Sequence, residues 1–172
     1  MKKQFALSLL AAVCVAPAFA QSSVTAYGRL NVTLESRKTG DVTDKGVFNN
    51  ASRLGFKGTE DMGGGLKAIA NLEHRLNSDT GTQAATDFWR QSWVGIQSAD
   101  FGRITLGRQY NILFDLYTST FASFRYSPYI EAYKPEIGMA MAARQDNMVK
   151  YLVQVGNVYG EIQVSAGEGA SG

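Results

Sequence analysis

The sequence predicts an all-β chain, an antiparallel array of strands joined up and down. Three observations predict it. Polar and apolar residues alternate over several segments, glycine-rich turns separate those segments, and short connections alternate with long ones. The chain has 172 residues, 45% hydrophobic and 19% charged, with 18 glycines and 3 prolines. That composition excludes a disordered chain and supports a single domain.

The first twenty residues stand apart. Lys2 and Lys3 precede the apolar run Phe5–Val15, and Ala18-Phe19-Ala20 supplies a small-x-small cleavage site. This is the layout of a secretory signal peptide over residues 1–20, leaving 21–172 as the mature chain. The run is too short to span a bilayer as an anchor helix. Cys14 is the only cysteine and lies inside the signal, so the mature chain has no thiol for a disulfide or a metal site. Losing Lys2 and Lys3 takes the basic count from 17 to 15, against 15 acidic residues. The mature chain is formally neutral, which gives no support to nucleic-acid binding.

In order along the mature chain, the first strand runs over 24–35. Val24, Ala26, Gly28, Leu30, Val32 and Leu34 stand on one parity; Thr25, Tyr27, Arg29, Asn31, Thr33 and Glu35 stand on the other. A longer polar connection is expected at 37–49. Leu54, Phe56 and Gly58 then alternate with Arg53, Gly55, Lys57 and Thr59. After the turn at 60–65, Leu66, Ala68, Ala70, Leu72 and Leu76 alternate with Lys67, Asn71, Glu73 and Arg75. The run Gly63-Gly64-Gly65-Leu66-Lys67 leads into a strand and lacks the spacing of a phosphate loop. A second long polar connection falls at 77–86, a strand of unclear faces at 87–97, a turn at 98–100 and a strand at 101–106. Val149, Tyr151, Val153 and Val155 form one face before the tight turn Gly156-Asn157, and Val158, Gly160, Ile162, Val164 and Ala166 follow. Residues 110–144 show no sustained alternation and carry several aromatics. A loop of that length in a compact protein points to function, and the aromatics point to a packed loop with room for one short helix.

Several of these segments together carry a family resemblance. Phe56-Lys57-Gly58-Thr59-Glu60-Asp61-Met62-Gly63-Gly64-Gly65-Leu66-Lys67-Ala68 resembles the strand-turn-strand signature of Gram-negative trimeric porins. Phe101-Gly102-Arg103-Ile104-Thr105-Leu106-Gly107-Arg108-Gln109 resembles a second signature of that family. Ala26-Tyr27-Gly28-Arg29-Leu30 is similar to its first strand, and Pro135-Glu136-Ile137-Gly138 to the tip of its third loop. The resemblance covers essentially all of the mature chain and is most marked toward the porins of beta-proteobacteria. It implies a transmembrane antiparallel β-barrel, sixteen-stranded in the family, trimeric, with the third loop folded inward. Here about seven strands are readable, so 21–172 is expected to be the N-terminal portion of such a barrel, with 110–144 as the pore-constricting loop. An unclosed sheet leaves unpaired edges in lipid, so this segment by itself is not expected to make a stable channel.

The resemblance and the charge pattern together say which face is inside. Arg29, Arg53, Lys57, Lys67, Glu73 and Arg75 share the odd parity over three strands, against modest apolar faces. In an outer-membrane barrel the apolar parity points to lipid or a neighbouring subunit, and the polar parity lines a water-filled lumen. The expected function is passive diffusion of small hydrophilic solutes and ions across the outer membrane, without a cofactor. The expected partners are outer-membrane lipid and two further copies of the chain in a homotrimer.

Carried over residue by residue, the family pattern places Arg29, Arg53, Arg108 and Arg144 on the basic wall of the constriction. Glu136 matches the acidic residue of the loop, and Glu131 is the nearest candidate for a second loop acid, off the family's spacing. Arg108 has the even parity of Ile104 and Leu106, so an inward position requires a bulge near Gly107 or a place beyond the regular strand. His74, the only histidine, stands on the apolar parity and suits an interface better than a metal. Tyr27, Trp89 and Trp93 suit an interfacial girdle or subunit packing equally. Three other readings compete: a small non-conducting outer-membrane barrel that anchors or adheres, a periplasmic ligand-binding barrel, and an enzyme. The long loop and the porin signatures count against the first. The second predicts an apolar interior. For the third, no serine-histidine-acid set or metal spacing organises the carboxylates.

Overall fold

A computed structural model describes residues 22–120 and 142–167, with the side chains of 117–120 left aside. The signal segment, Glu131 and Glu136 lie outside the described residues. The elements are β1 (Ser23–Arg29), β2 (Val32–Thr39), β3 (Val42–Asn49), β4 (Arg53–Gly63), β5 (Leu66–Asn77), β6 (Thr82–Gln83), β7 (Trp89–Ser98), β8 (Gly102–Tyr110), α1 (Ile112–Thr120), β9 (Arg144–Val155) and β10 (Val158–Ser165). The main sheet runs β1-β4-β5-β7-β8-β9-β10, with β6 on the end of β5, and every pairing is antiparallel. Seven long strands thus follow one another up and down. Among the described residues β1 and β10 are the two edges and do not pair with each other.

The long connections leave one end of the sheet and the short turns the other. At the first end are the β2–β3 hairpin, the segment holding β6, and the segment that begins with α1. At the other end, tight turns join β4 to β5, β7 to β8 and β9 to β10.

The sheet is inside-out relative to a water-soluble sandwich. Leu54, Phe56, Val94, Ile96, Ile104, Leu106, Val149 and Tyr151 are exposed, while Asn71, Glu73, Thr105, Gln109 and Lys150 are buried. Polar side chains therefore occupy the concave side and apolar ones the outer surface, as an outer-membrane barrel requires. Among the described residues no helix is long and apolar enough to cross a membrane.

Two expectations are corrected. The strand expected over 24–35 is two strands, because the backbone leaves the main sheet at Leu30-Asn31. There the Ser52 side chain takes the place of a ladder partner: its hydroxyl accepts from the Asn31 amide at 2.9 Å and donates to the Asn31 carbonyl at 3.3 Å. The connection expected at 37–49 is instead the rest of a regular hairpin, in which Val32–Thr39 pairs with Val42–Asn49 across Gly40. Gly40 has φ 59°, a conformation glycine adopts without steric cost.

Gly55 is required for a different reason. It stands opposite Tyr27, whose ring lies across it; a Cβ there would sit 2.5 Å from the ring. The space lets the Tyr27 hydroxyl donate two strands away, to Asn71 at 2.9 Å and Glu73 at 3.1 Å. Tyr27 therefore faces inward and does not belong to an aromatic girdle. Trp93 also stands on the inner parity, opposite Asn71, and its Nε1 donates to Gln91. Trp89 takes the outer parity, opposite His74.

Candidate functional site: the basic wall

Among the described residues six arginines converge at the end of the sheet that carries the long connections. Arg29 ends β1, Arg53 and Arg144 begin β4 and β9, and Arg75, Arg90 and Arg108 lie within three residues of the ends of β5, β7 and β8. Register brings three of them side by side: Arg29 faces Arg53, and Arg53 faces Arg75. Like charges directly opposite on adjacent strands repel, so the row needs counterweights.

Glu73 is the first. It stands two residues before Arg75 on the same face, is 4% exposed, and takes an ion pair with Arg90 and another with Arg53 at 3.9 Å. Arg90 reaches it because β7 carries one extra residue between Trp89 and Gln91, opposite His74 and Glu73. That bulge turns a residue of outward parity into the lumen. Asp87 is the second counterweight, bridging Arg75 at 3.0 Å and Arg108 at 3.2 Å. Burial pushes the Asp87 carboxyl up, but the guanidiniums of Arg75 and Arg108 outweigh it and hold it below the usual carboxylate range. Asp146 is the third, 2.6 Å from Arg108. Arg90 and Arg144 both lie over the ring of Tyr110, at 5.1 and 5.5 Å from its centroid. Arg29 donates to the Ala51 carbonyl at 3.0 Å.

Of the expected basic residues, Arg29, Arg53 and Arg144 join this cluster directly. Arg108 joins it through Asp87. A bulge does fall beside Gly107, but the extra residue is on β9: two steps on β8, Gly107 to Gln109, match three on β9, Met148 to Gln145. Asn147, at φ 50°, lies in that stretch. On the β7 side Arg108 keeps its ladder partner Ser92, and its long side chain makes the reach. Arg75, Arg90, Asp87 and Asp146 were not among the expected site residues. The alternation already placed Arg75 on the wet face; the β7 bulge left no signal for Arg90.

A second polar cluster lies on the inner side of β8, β9 and β10. Lys150 donates to the Tyr110 carbonyl at 3.0 Å, pairs with Asp115 of α1, and lies 3.1 Å from Glu161 of β10. Burial pushes the Asp115 carboxyl above its usual range, against the pull of Lys150. Asn111 caps α1, its Oδ1 accepting from the Phe114 amide at 2.8 Å. The same side chain donates to the Ala142 carbonyl at 2.7 Å, and its backbone amide to the Ala143 carbonyl at 3.0 Å. One residue therefore ties the two ends of the long loop together. His74 Nδ1 donates to the Phe88 carbonyl, 2.5 Å away, and its ring lies tilted over the Phe88 ring at 4.4 Å. Among the described residues no group of histidine, cysteine and carboxylate side chains is disposed to hold a metal.

Comparison with known proteins agrees with this geometry. The Gram-negative porin family matches residues 6–172. An outer membrane porin protein of Bordetella pertussis is 34% identical over 176 residues, covering 88% of this chain and 44% of its own length. Outer membrane porin protein 32 of Delftia acidovorans is 41% identical over 114 residues, 63% of this chain and 32% of its own. Among solved structures, an anion-selective porin from Comamonas acidovorans superposes with a TM-score of 0.64 at 25% identity, over 84% of this chain and 47% of that one. The outer membrane protein OmpT of Vibrio cholerae, lacking loop L8, shares the fold with a TM-score of 0.62 at 21% identity, over 86% of this chain and 44% of its own. The chain spans less than half the length of these relatives. It belongs to the Gram-negative porin family and to the outer membrane.

Proposed function

We propose that the chain forms part of a water-filled channel for passive diffusion of small hydrophilic solutes and ions, with a preference for anions. The observation that carries this reading is the imbalance at the long-loop end. Six guanidiniums, of Arg29, Arg53, Arg75, Arg90, Arg108 and Arg144, meet three carboxylates, Glu73, Asp87 and Asp146, among the described residues. Among the described residues this cluster has an excess of three positive charges, on the polar face of a sheet whose other face is apolar. Inside a low-dielectric wall such an excess raises the local concentration of anions and lowers that of cations. In this reading Arg29, Arg53, Arg108 and Arg144 are the basic side of the constriction, and Glu131 and Glu136 the acidic loop side. Nothing is bound tightly and no bond is made or broken. The complete channel assembles as a homotrimer in this proposal, in keeping with the trimer form of a structural neighbour.

The test is the zero-current potential of the purified channel in a planar bilayer under a potassium chloride gradient. Stepwise conductance with a chloride-favouring potential is expected. Absence of stepwise conductance removes the channel; a potassium-favouring potential removes the role assigned to the arginines.

A further inference from the structure

Among the described residues Lys150 is the one ammonium on the inner face whose position is fixed from three elements at once. It is 4% exposed. Its partners are the Tyr110 carbonyl at the end of β8, Asp115 on α1 and Glu161 on β10. Its strand position makes this unavoidable. Lys150 pairs in register with Thr105 of β8 and Gln163 of β10, both facing the lumen, so its side chain rises directly beneath α1. Gln163 holds the same helix from beside it, accepting from the Ile112 amide at 2.9 Å.

The cluster differs from the arginine wall in two ways. Its charges balance: Lys150 and Arg103 face Asp115 and Glu161, and the Tyr159 hydroxyl donates to Glu161. It is also closed. The hollow between Trp93, Arg103, Thr105 and Lys150 is about 70 Å³, room for about two waters and no solute. Lys150 is therefore less well placed to act on permeating ions than the half-buried arginines of the wall. What it can act on is the helix, because removing it leaves the carboxylates of Asp115 and Glu161 on either side of an unfilled site, repelling each other.

We propose that Lys150 is a positioning residue: by drawing Asp115 and Glu161 onto one ammonium it holds α1 against the inner wall and thereby fixes the free width of the bore. This rests on the diffusion-channel reading given above.

The experiment uses the full-length channel with Lys150→Met and Lys150→Arg. In liposomes, the permeation rate of a disaccharide relative to a monosaccharide is expected to rise about threefold or more in Lys150→Met, because whatever narrows the bore sets the cutoff. Lys150→Arg, which keeps a cation at the site, is expected to restore most of the wild-type ratio. Asp115→Asn cuts the helix side of the clamp alone and is expected to raise the ratio as well; it serves if Lys150→Met does not assemble. A shift of zero-current potential in Lys150→Met with an unchanged sugar ratio would show that Lys150 contributes charge only, and overturns the proposal. Amide exchange over residues 112–116 reads the clamp without any conduction. Faster exchange in Lys150→Met than in wild type supports it; equal exchange overturns it. A wild-type protein that conducts nothing yet protects α1 through Lys150 would remove the channel reading and leave the clamp standing.

Discussion

Replacing Glu73 by glutamine tests the basic wall at its most loaded point. The glutamine keeps the size of the side chain and can still accept from the Tyr27 hydroxyl, now 3.1 Å away. What it loses is the charge facing Arg53 at 3.9 Å and Arg90 at closer range, with side-chain exposures of 20% and 12%. At about 4 Å and an effective dielectric of about 20, one such attraction is about 4 kcal/mol before desolvation is subtracted. Glutamine escapes the desolvation of a buried carboxylate, which returns part of this. Breaking a buried pair from one side nevertheless leaves a net loss of about 3 kcal/mol. The arginine excess rises from three to four at the same time. The detergent-solubilised channel should therefore unfold at lower denaturant, and its chloride-to-potassium permeability ratio should increase. The increase should be larger in about 0.1 M than in about 1 M salt, because the Debye length shrinks from about 10 to about 3 Å. An unchanged denaturation midpoint together with an unchanged permeability ratio would refute the claim that Glu73 neutralises the row.

Neutralising Arg29 and Arg53 together in the complete channel should move the zero-current potential toward cations; a constant value takes both residues out of the constriction. Gly55→Ala drives a methyl into the Tyr27 ring, 2.5 Å away, and should cost about 1–3 kcal/mol in denaturant unfolding. Gly58→Ala, which meets only Ala70 Cβ at 3.6 Å, should cost little and serves as its control. Asp87 gives the pH prediction. Its folded carboxyl titrates below the unfolded value of about 3.9, so its stabilisation is complete above that value and is lost as pH falls through the folded one. Asp87→Asn should therefore lower the thermal midpoint at about pH 7 and shrink the further drop on acidification to about pH 3.

Most of the sheet was legible because the period-two pattern of the strands survives a reversal of environment. The residues that look like a core in this sequence, Leu54, Phe56, Ile104 and Leu106, are the exposed ones. The glycine-rich and small-polar turns were legible for the usual steric reasons, and so was a short helix after Tyr110. The pattern was blind where one extra residue shifts the register. Arg90 sits at such a point, and parity alone sends it to the lipid side, where its charge is not tolerated. The β2–β3 hairpin was hidden by its polar residues. Thr43 and Lys45 read as loop, yet they pair with Lys38 and Ser36, because a hairpin standing clear of the main sheet has no face that must be apolar. Lys150 lay in plain view between Val149 and Tyr151. Its partners come from α1 and β10, and a single-strand pattern carries no information about either.

The two polar clusters on one wall argue for different selection. A sheet chosen for stability alone would alternate charge signs across neighbouring strands, since opposite charges facing each other contribute roughly 0.2–1 kcal/mol and like charges destabilise. On the inner face of β8, β9 and β10 the charges balance, Lys150 and Arg103 being offset by Glu161 on β10 and by Asp115 on α1. The row Arg29, Arg53 and Arg75 breaks that rule on three strands in succession. The surrounding structure works to tolerate the breach: Glu73 is buried between two guanidiniums, Asp87 bridges two more, and Tyr110 offers its ring to Arg90 and Arg144. A repulsive row maintained at that cost needs a use, and on the polar side of an outer-membrane sheet the available use is the field it presents to whatever passes.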